Sequence, residues 1–261
     1  MRYLVVEAHP DDMVFFCGGT VARLIEKGHE VYVLTITDGQ QGTLDPAYDT
    51  TEKLADIMRA EHAKACQSLG ITEVTFIGLM NHFLENTHEL REIIVRHVRE
   101  VQPGAVFTLD PWNFDENPDH RAVGMATLEA CSFAHMHLFH PEHIDEGLST
   151  AMVAKVILYK TERPNSFYDI ADTLSRKVEA ALAYESQIEL MRDEGIRRLA
   201  VLGKSHPLFE GDFARIVGGG VQGMAMEAGK GAGLEAAEAF HVRGLGILEN
   251  IKELIGGLDV E

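Results

Sequence analysis

Two short turns carry the residues best suited to chemistry, His9-Pro10-Asp11-Asp12 near the start of the chain and Asn117-Pro118-Asp119-His120 more than a hundred residues later. His9, Asp12 and His120 together offer two imidazoles and one carboxylate, a donor set that suits zinc and leaves a position open for water or substrate. Only one ligand is negative, so the ion keeps positive charge, polarises a carbonyl and lowers the pKa of a water from about 15.7 toward about 7. Iron(II) or another divalent ion accepts the same donors, so the set defines a site more firmly than it defines a metal. Asp11, beside Asp12, is then free to act as general base toward that water. Asp119 reads as a carboxylate that orients an imidazole. Each turn alone is an ordinary polar turn, and Asp12 could also cap a helix; the two gain meaning only if they meet. The run His135 to His140 (HMHLFH) offers further donors, but a partly exposed segment is the better reading.

What must bring the turns together is the pattern around them. Tyr3 to Ala8 is a short β-rich run, Gly19 to Lys27 has helical spacing closed by Gly28, and HEVYVLTIT supplies a second strand ending at Asp38-Gly39. Strand, helix and strand in so few residues form a βαβ unit with a right-handed crossover. A polar excursion over residues 40–53 precedes a helix over Leu54 to Leu69. VTFIG is a third strand, HELREIIVRHVREV a helix, AVFTL a fourth strand, and the stretch from His120 a further helix. The alternation predicts an α/β fold, a Rossmann-like three-layer sandwich with a mostly parallel sheet. In such a sheet the loops after the first and fourth strands open at the carboxyl ends, where ligands bind. Asp38, at the tip of the second strand, borders the same crevice.

MVAKVILYK reads as a strand, DIADTLSRKVEAALAYESQIELM as one or two helices, and the glycine-rich stretch 218–233 as a mobile loop over a cleft. The expected organisation is one domain over 1–261, with both metal motifs in a core over 1–130 and additional strands, helices and the Gly-rich loop over 131–261. The dinucleotide fingerprint is absent: Gly18-Gly19 follow a histidine and two aspartates, which would repel a pyrophosphate.

Composition narrows the function classes. Of 261 residues, 46% are hydrophobic, enough for one substantial core, and 41 acidic against 23 basic residues give a net charge of -18. With no basic stripe, nucleic acid is disfavoured as a partner. Cys17, Cys66 and Cys131 are odd in number and far apart, which argues against a disulfide framework. Without a signal-like or membrane-length apolar run, the expectation is a soluble, cytoplasmic protein with no membrane segment.

AHPDD at 8–12, GGT at 18–20, TDG at 37–39, RAE and LG between Arg59 and Gly70, PDHR at 118–121 and AEAF at 237–240 together resemble the PIG-L/LmbE family of zinc-dependent N-acetylglucosaminyl deacetylases. The resemblance runs over roughly residues 3 to 130. It implies a Rossmann-like fold, zinc on His9, Asp12 and His120, Asp11 as general base, Asp119 beside the last ligand, and Arg59 holding substrate or shaping the site. It also implies a small N-acylated substrate, an amino sugar or its conjugate, and a homo-oligomer such as a trimer or hexamer. One position departs: many members read HPDH where this chain has Asn117. Asn117 donates a hydrogen bond but delivers no proton. Either it keeps only an oxyanion role or another group, with His241 the candidate, completes the site. Trp112 and Phe114 flank the second motif and either stack on a sugar ring or pack beneath the loop. Two other readings stay open, an amidase for a larger N-acyl or thiol-conjugate substrate, and a protein whose metal is only structural.

Overall fold

The computed structural model describes residues 1–261. In chain order the elements are β1 (Arg2–Glu7), α1 (Asp12–Glu26), β2 (Glu30–Thr37), α2 (Thr51–Leu69), β3 (Glu73–Leu79), α3 (His88–Val101), β4 (Ala105–Leu109), α4 (Pro118–Phe133), α5 (Pro141–Asp145), β5 (Lys155–Tyr159), β6 (Ser166–Asp169), α6 (Leu174–Leu182), α7 (Glu185–Val201), α8 (Phe213–Ala232), β7 (Ala237–Gly244) and α9 (Ile247–Ile251). One sheet runs in the order β3-β2-β1-β4-β5-β7-β6. The first five strands are parallel, and β7 pairs antiparallel with β5 and with β6. β1, β4 and β5 are buried almost throughout, as strands covered by helices on both faces must be. The α/β expectation of a mostly parallel sheet therefore holds.

β1 lies between β2 and β4, so the chain leaves it first to one side and later to the other. The crevice outside the carboxyl ends of β1 and β4 is the topological switch point of the sheet. The turn at residues 9–12 and the loop before α4 both open there.

Two local expectations were corrected. α1 starts at Asp12 rather than Gly19. Gly18 and Gly19 lie inside the helix because a Cβ at Gly19 would sit 2.7 Å from Ile170 Cδ1; the small residue permits a close approach rather than ending an element. The Gly-rich stretch 218–233 is not a loop: nearly all of it lies in α8, which ends at Gly233 in the left-handed region. Its buried residues, Gly218, Val221, Ala225 and Gly229, fall on one helical face. A Cβ at Gly229 would meet the Leu234 carbonyl at 2.8 Å, and the Asp212 side chain caps the helix by accepting from Arg215 N–H at 3.2 Å. Glycine's weak helix propensity is overruled there by packing and capping. The strands β6 and β7 extend the sheet where the sequence showed no clear strand pattern.

Candidate metal centre and active-site cavity

The parallel register of β1 with β2 and β4 delivers His9 and Asp12 to the mouth of the crevice. The tight turn lets Asp12 Oδ2 accept the backbone N–H groups of Ala8 and His9, at 3.2 and 2.9 Å. That fixes the carboxylate and leaves Oδ1 facing His120 Nε2 at 3.1 Å. His120 lies in the first turn of α4, where Asn117 caps the helix by accepting the Asp119 N–H at 3.0 Å. His9 Nδ1 approaches His120 Nε2 to 3.2 Å and Asp12 Oδ2 to 3.4 Å. One donor atom from each of the three residues lies within 4.8 Å of the others.

These separations suit a metal. Zinc bonds of about 2.0–2.1 Å at tetrahedral angles place neighbouring ligand atoms about 3.3 Å apart. The far nitrogens make the same point. His9 Nε2 lies 3.1 Å from Asp119 Oδ2, and His120 Nδ1 lies 2.6 Å from Asp115 Oδ2. A carboxylate can only accept, so each far nitrogen carries a proton, and the facing nitrogen is the one that would bind a cation. Both facing nitrogens and the Asp12 carboxylate are aimed at one point. The surroundings favour positive charge there. Burial works against charge on His9, yet hydrogen bonds to Asp119 and Asp12 outweigh it and lift the imidazole to about 10. His120 is also raised, burial again opposing and Asp12 prevailing. Asp12 is held well below the usual carboxylate range despite its burial, because His120 and His9 face it.

Asp11 differs from its neighbour. It occupies the cap position of α1 without making a side-chain cap bond. Burial first, and then the charge of Asp12, push its carboxyl up to about 6. It borders a cavity of about 430 Å³ together with the three metal-centre residues, His82 and Asn117. Phe15, Phe16, Met58, Leu190, Met191 and Met224 form the apolar side of that cavity. Met224 belongs to α8, so the Gly-rich segment does reach the cleft, as a helix.

The other expected residues are more dispersed. Asp119 sits beside the metal centre, but it orients His9 rather than its own neighbour His120. Its two oxygens also accept the backbone N–H groups of His82 and Leu84, at 2.6 and 3.1 Å. Asn117 uses its carbonyl oxygen in capping α4, which leaves its NH2 group available on the cavity wall. Arg59 is engaged with Asp38 through two hydrogen bonds of 2.9 and 2.7 Å, and neither side chain lines the cavity. Their pairing braces the end of β2 behind Gly39, which does line it. Trp112 is half exposed with the Arg243 guanidinium over its ring, and Phe114 is 85% exposed; neither lines the cavity. Within this chain His241 lies away from the cavity. It lies on β7, is bonded to the Arg163 carbonyl at 2.8 Å, and faces a separate hollow with Asp110, Trp112, Arg163 and Arg243. From His135 to Leu138 the histidine-rich run is exposed.

The sequence reading missed Asp115, Lys160 and His82. Lys160 follows β5 directly and bonds Asp115 Oδ2 at 2.7 Å. Burial notwithstanding, Lys160, the Asn117 amide and His120 hold the Asp115 carboxyl down to about 2. A carboxylate five residues before a ligand histidine in the same loop was the available signal for Asp115. Nothing in the sequence pointed to Lys160 or His82, because only the sheet order brings their loops to the crevice.

Comparison with known proteins agrees with this geometry. A family model described as GlcNAc-PI de-N-acetylase (PIG-L) matches residues 4–131. The diacetylchitobiose deacetylase of Thermococcus kodakarensis is 35% identical over 187 residues, covering 71% of this chain and 70% of that protein. The 1D-myo-inositol 2-acetamido-2-deoxy-alpha-D-glucopyranoside deacetylase of Actinosynnema mirum is 27% identical, covering 74% and 82%. Among solved structures, N,N'-diacetylchitobiose deacetylase from Pyrococcus horikoshii superposes with a TM-score of 0.78 at 28% identity, covering 92% of this chain and 83% of that one.

Proposed function

The chain belongs to the GlcNAc-PI de-N-acetylase (PIG-L) family, and from that premise we propose that it hydrolyses the N-acetyl group of an amino sugar or amino-sugar conjugate, using zinc held by His9, Asp12 and His120. The two relatives compared above are deacetylases, and three of this chain's residues cluster as a metal site for such chemistry would need. The observation that carries the reading is the pair of carboxylate-backed imidazoles whose facing nitrogens meet Asp12 at spacings that suit a metal, with an uncommitted carboxylate beside them on a cavity wall.

Zinc in that position supplies a Lewis acid for the amide carbonyl and a lowered pKa for the attacking water. The chain supplies the rest. Asp11 takes the proton of the water as its oxygen bonds to the carbonyl carbon. The Asn117 NH2 group donates toward the oxygen on which negative charge builds; one such donor is worth about 3–4 kcal/mol in the transition state. Asp119 and Asp115 keep the two imidazoles in the ligating tautomer. The apolar side of the cavity excludes water and favours a substrate with an apolar portion beside its acetamido group. Acetate and a free amine are the products.

A panel of N-acetylated amino sugars, assayed for amine release, tests the reading. The Asp11→Asn variant should lose at least about 100-fold in rate while binding as much metal as the parent. Loss of metal in that variant would reverse the roles given to Asp11 and Asp12, and absence of amine release across the panel would reject an amino-sugar substrate.

A further inference from the structure

Hydrolysis of an alkyl amide needs a proton on the departing nitrogen, because an amide anion is too basic to leave. Asn117 cannot deliver one, and His241 faces a different hollow. Besides the three metal-centre residues, the cavity wall carries two titratable side chains, Asp11 and His82. Asp11, once it holds the proton of the water, is one donor on this wall. His82 is the remaining imidazole.

Its backbone is unusual. His82 has φ 69°, in the left-handed region that glycine adopts freely and that strains other residues. Such strain persists where neighbouring bonds over-determine the backbone and tends to gather at functional sites. One such bond runs from the His82 N–H to Asp119 Oδ2 at 2.6 Å, and the same carboxylate oxygen lies 3.1 Å from His9 Nε2. Asn81 is buried, and its side-chain oxygen accepts the Gln41 N–H at 3.1 Å, tying the segment to the loop after β2. The backbone of residue 82 is therefore fixed to the metal centre, while its side chain borders the cavity.

Resting on the deacetylase reading above, we infer that His82 is the general acid that protonates the leaving amine. The step balances simply. Asp11 receives a proton from water as the C–O bond forms, and the C–N bond breaks as the His82 imidazolium transfers its proton to nitrogen. Acetic acid and amine leave, as acetate and ammonium once the acid's proton passes to the amine, with Asp11 protonated and His82 neutral. One proton passing from Asp11 to His82 through solvent restores both.

The His82→Gly variant tests this, because glycine suits the backbone at this position and keeps the N–H bonded to Asp119. The purified protein would be compared with its parent on an N-acetylated amino sugar and on the O-acetyl ester of the same skeleton, whose alkoxide leaves more readily. The variant should melt at or above the parent's temperature and keep its metal. It should lose at least about 100-fold in kcat on the amide but less than about tenfold on the ester, and regain amide activity when imidazole is added. An amide rate within about threefold of the parent would overturn the assignment. Equal losses on both substrates would overturn it too, since His82 would then bind rather than protonate, and so would loss of metal. A parent inactive on the amide would strike the deacetylase reading instead, and the two failures are distinct.

Discussion

Asp115 offers the sharpest test of how the metal centre is built, because its removal should do more than delete a hydrogen bond. In the native arrangement His120 Nδ1 faces Asp115 Oδ2 at 2.6 Å, while Lys160 Nζ lies 2.7 Å from that oxygen and 3.1 Å from the same Nδ1. With alanine at position 115 the acceptor is gone and the ammonium is already within hydrogen-bonding distance of the ring. Lys160 can only donate, so Nδ1 must become the acceptor and the proton moves to Nε2. That nitrogen is the one that should bind metal. The effect therefore belongs at the upper end of the range for losing a histidine-orienting carboxylate, about 100-fold in metal affinity or about 2.7 kcal/mol. Competition against a chromophoric chelator at neutral pH measures it. The same reasoning predicts that Lys160→Met added to Asp115→Ala recovers about tenfold, since the unwanted donor is removed. Affinity of Asp115→Ala within about threefold of the parent, or a double variant weaker than the single one, would refute the tautomer argument.

Other outcomes follow from the same structure. His241→Ala should leave deacetylation within about twofold of the parent; a tenfold loss in a steady-state assay would return His241 to the site. His62 is buried and burial depresses its imidazole to about 4. The folded form thus resists a proton that the unfolded chain accepts near pH 6.5, so this contribution is intact above that pH and is lost as the pH falls toward 4. Denaturant titrations should show the parent losing about 2 kcal/mol more than His62→Gln between pH 7 and pH 5. Gly19→Ala would place a Cβ 2.7 Å from Ile170 Cδ1 and 3.0 Å from Ile170 Cβ. Overpacking of about 1–3 kcal/mol should exceed the helix-propensity gain of about 1 kcal/mol, so the melting temperature should fall by a few degrees.

The cluster of His9, Asp12 and His120 was legible because its parts are local turns of distinctive composition, placed by a sheet whose strand-helix alternation could be read from hydrophobic spacing. His9, Asp12 and His120 needed only the rule that loops at the carboxyl ends of parallel strands converge. What escaped the sequence depended on contacts between segments far apart in the chain. Asp119 is adjacent to His120, yet the start of α4 turns its carboxylate toward His9. Arg59 and Asp38 satisfy each other and so shape the cavity from behind. The glycines of α8 suggested a loop, because a propensity argument cannot see that Gly229 abuts Leu234 and Ala236. His82 carried no motif at all; only its strained backbone and its place on the wall distinguish it.

The central claim is that one divalent ion, caught between His9, Asp12 and His120, makes this protein a deacetylase. Amine release from an N-acetylated amino sugar should be measured after chelator stripping, during zinc addition, and in parallel with His120→Ala. The account predicts that the stripped parent is inactive, that its rate returns with zinc, and that the variant stays inactive at the same zinc concentrations. A stripped parent that turns over at its original rate, or a His120→Ala variant that zinc restores, would contradict it.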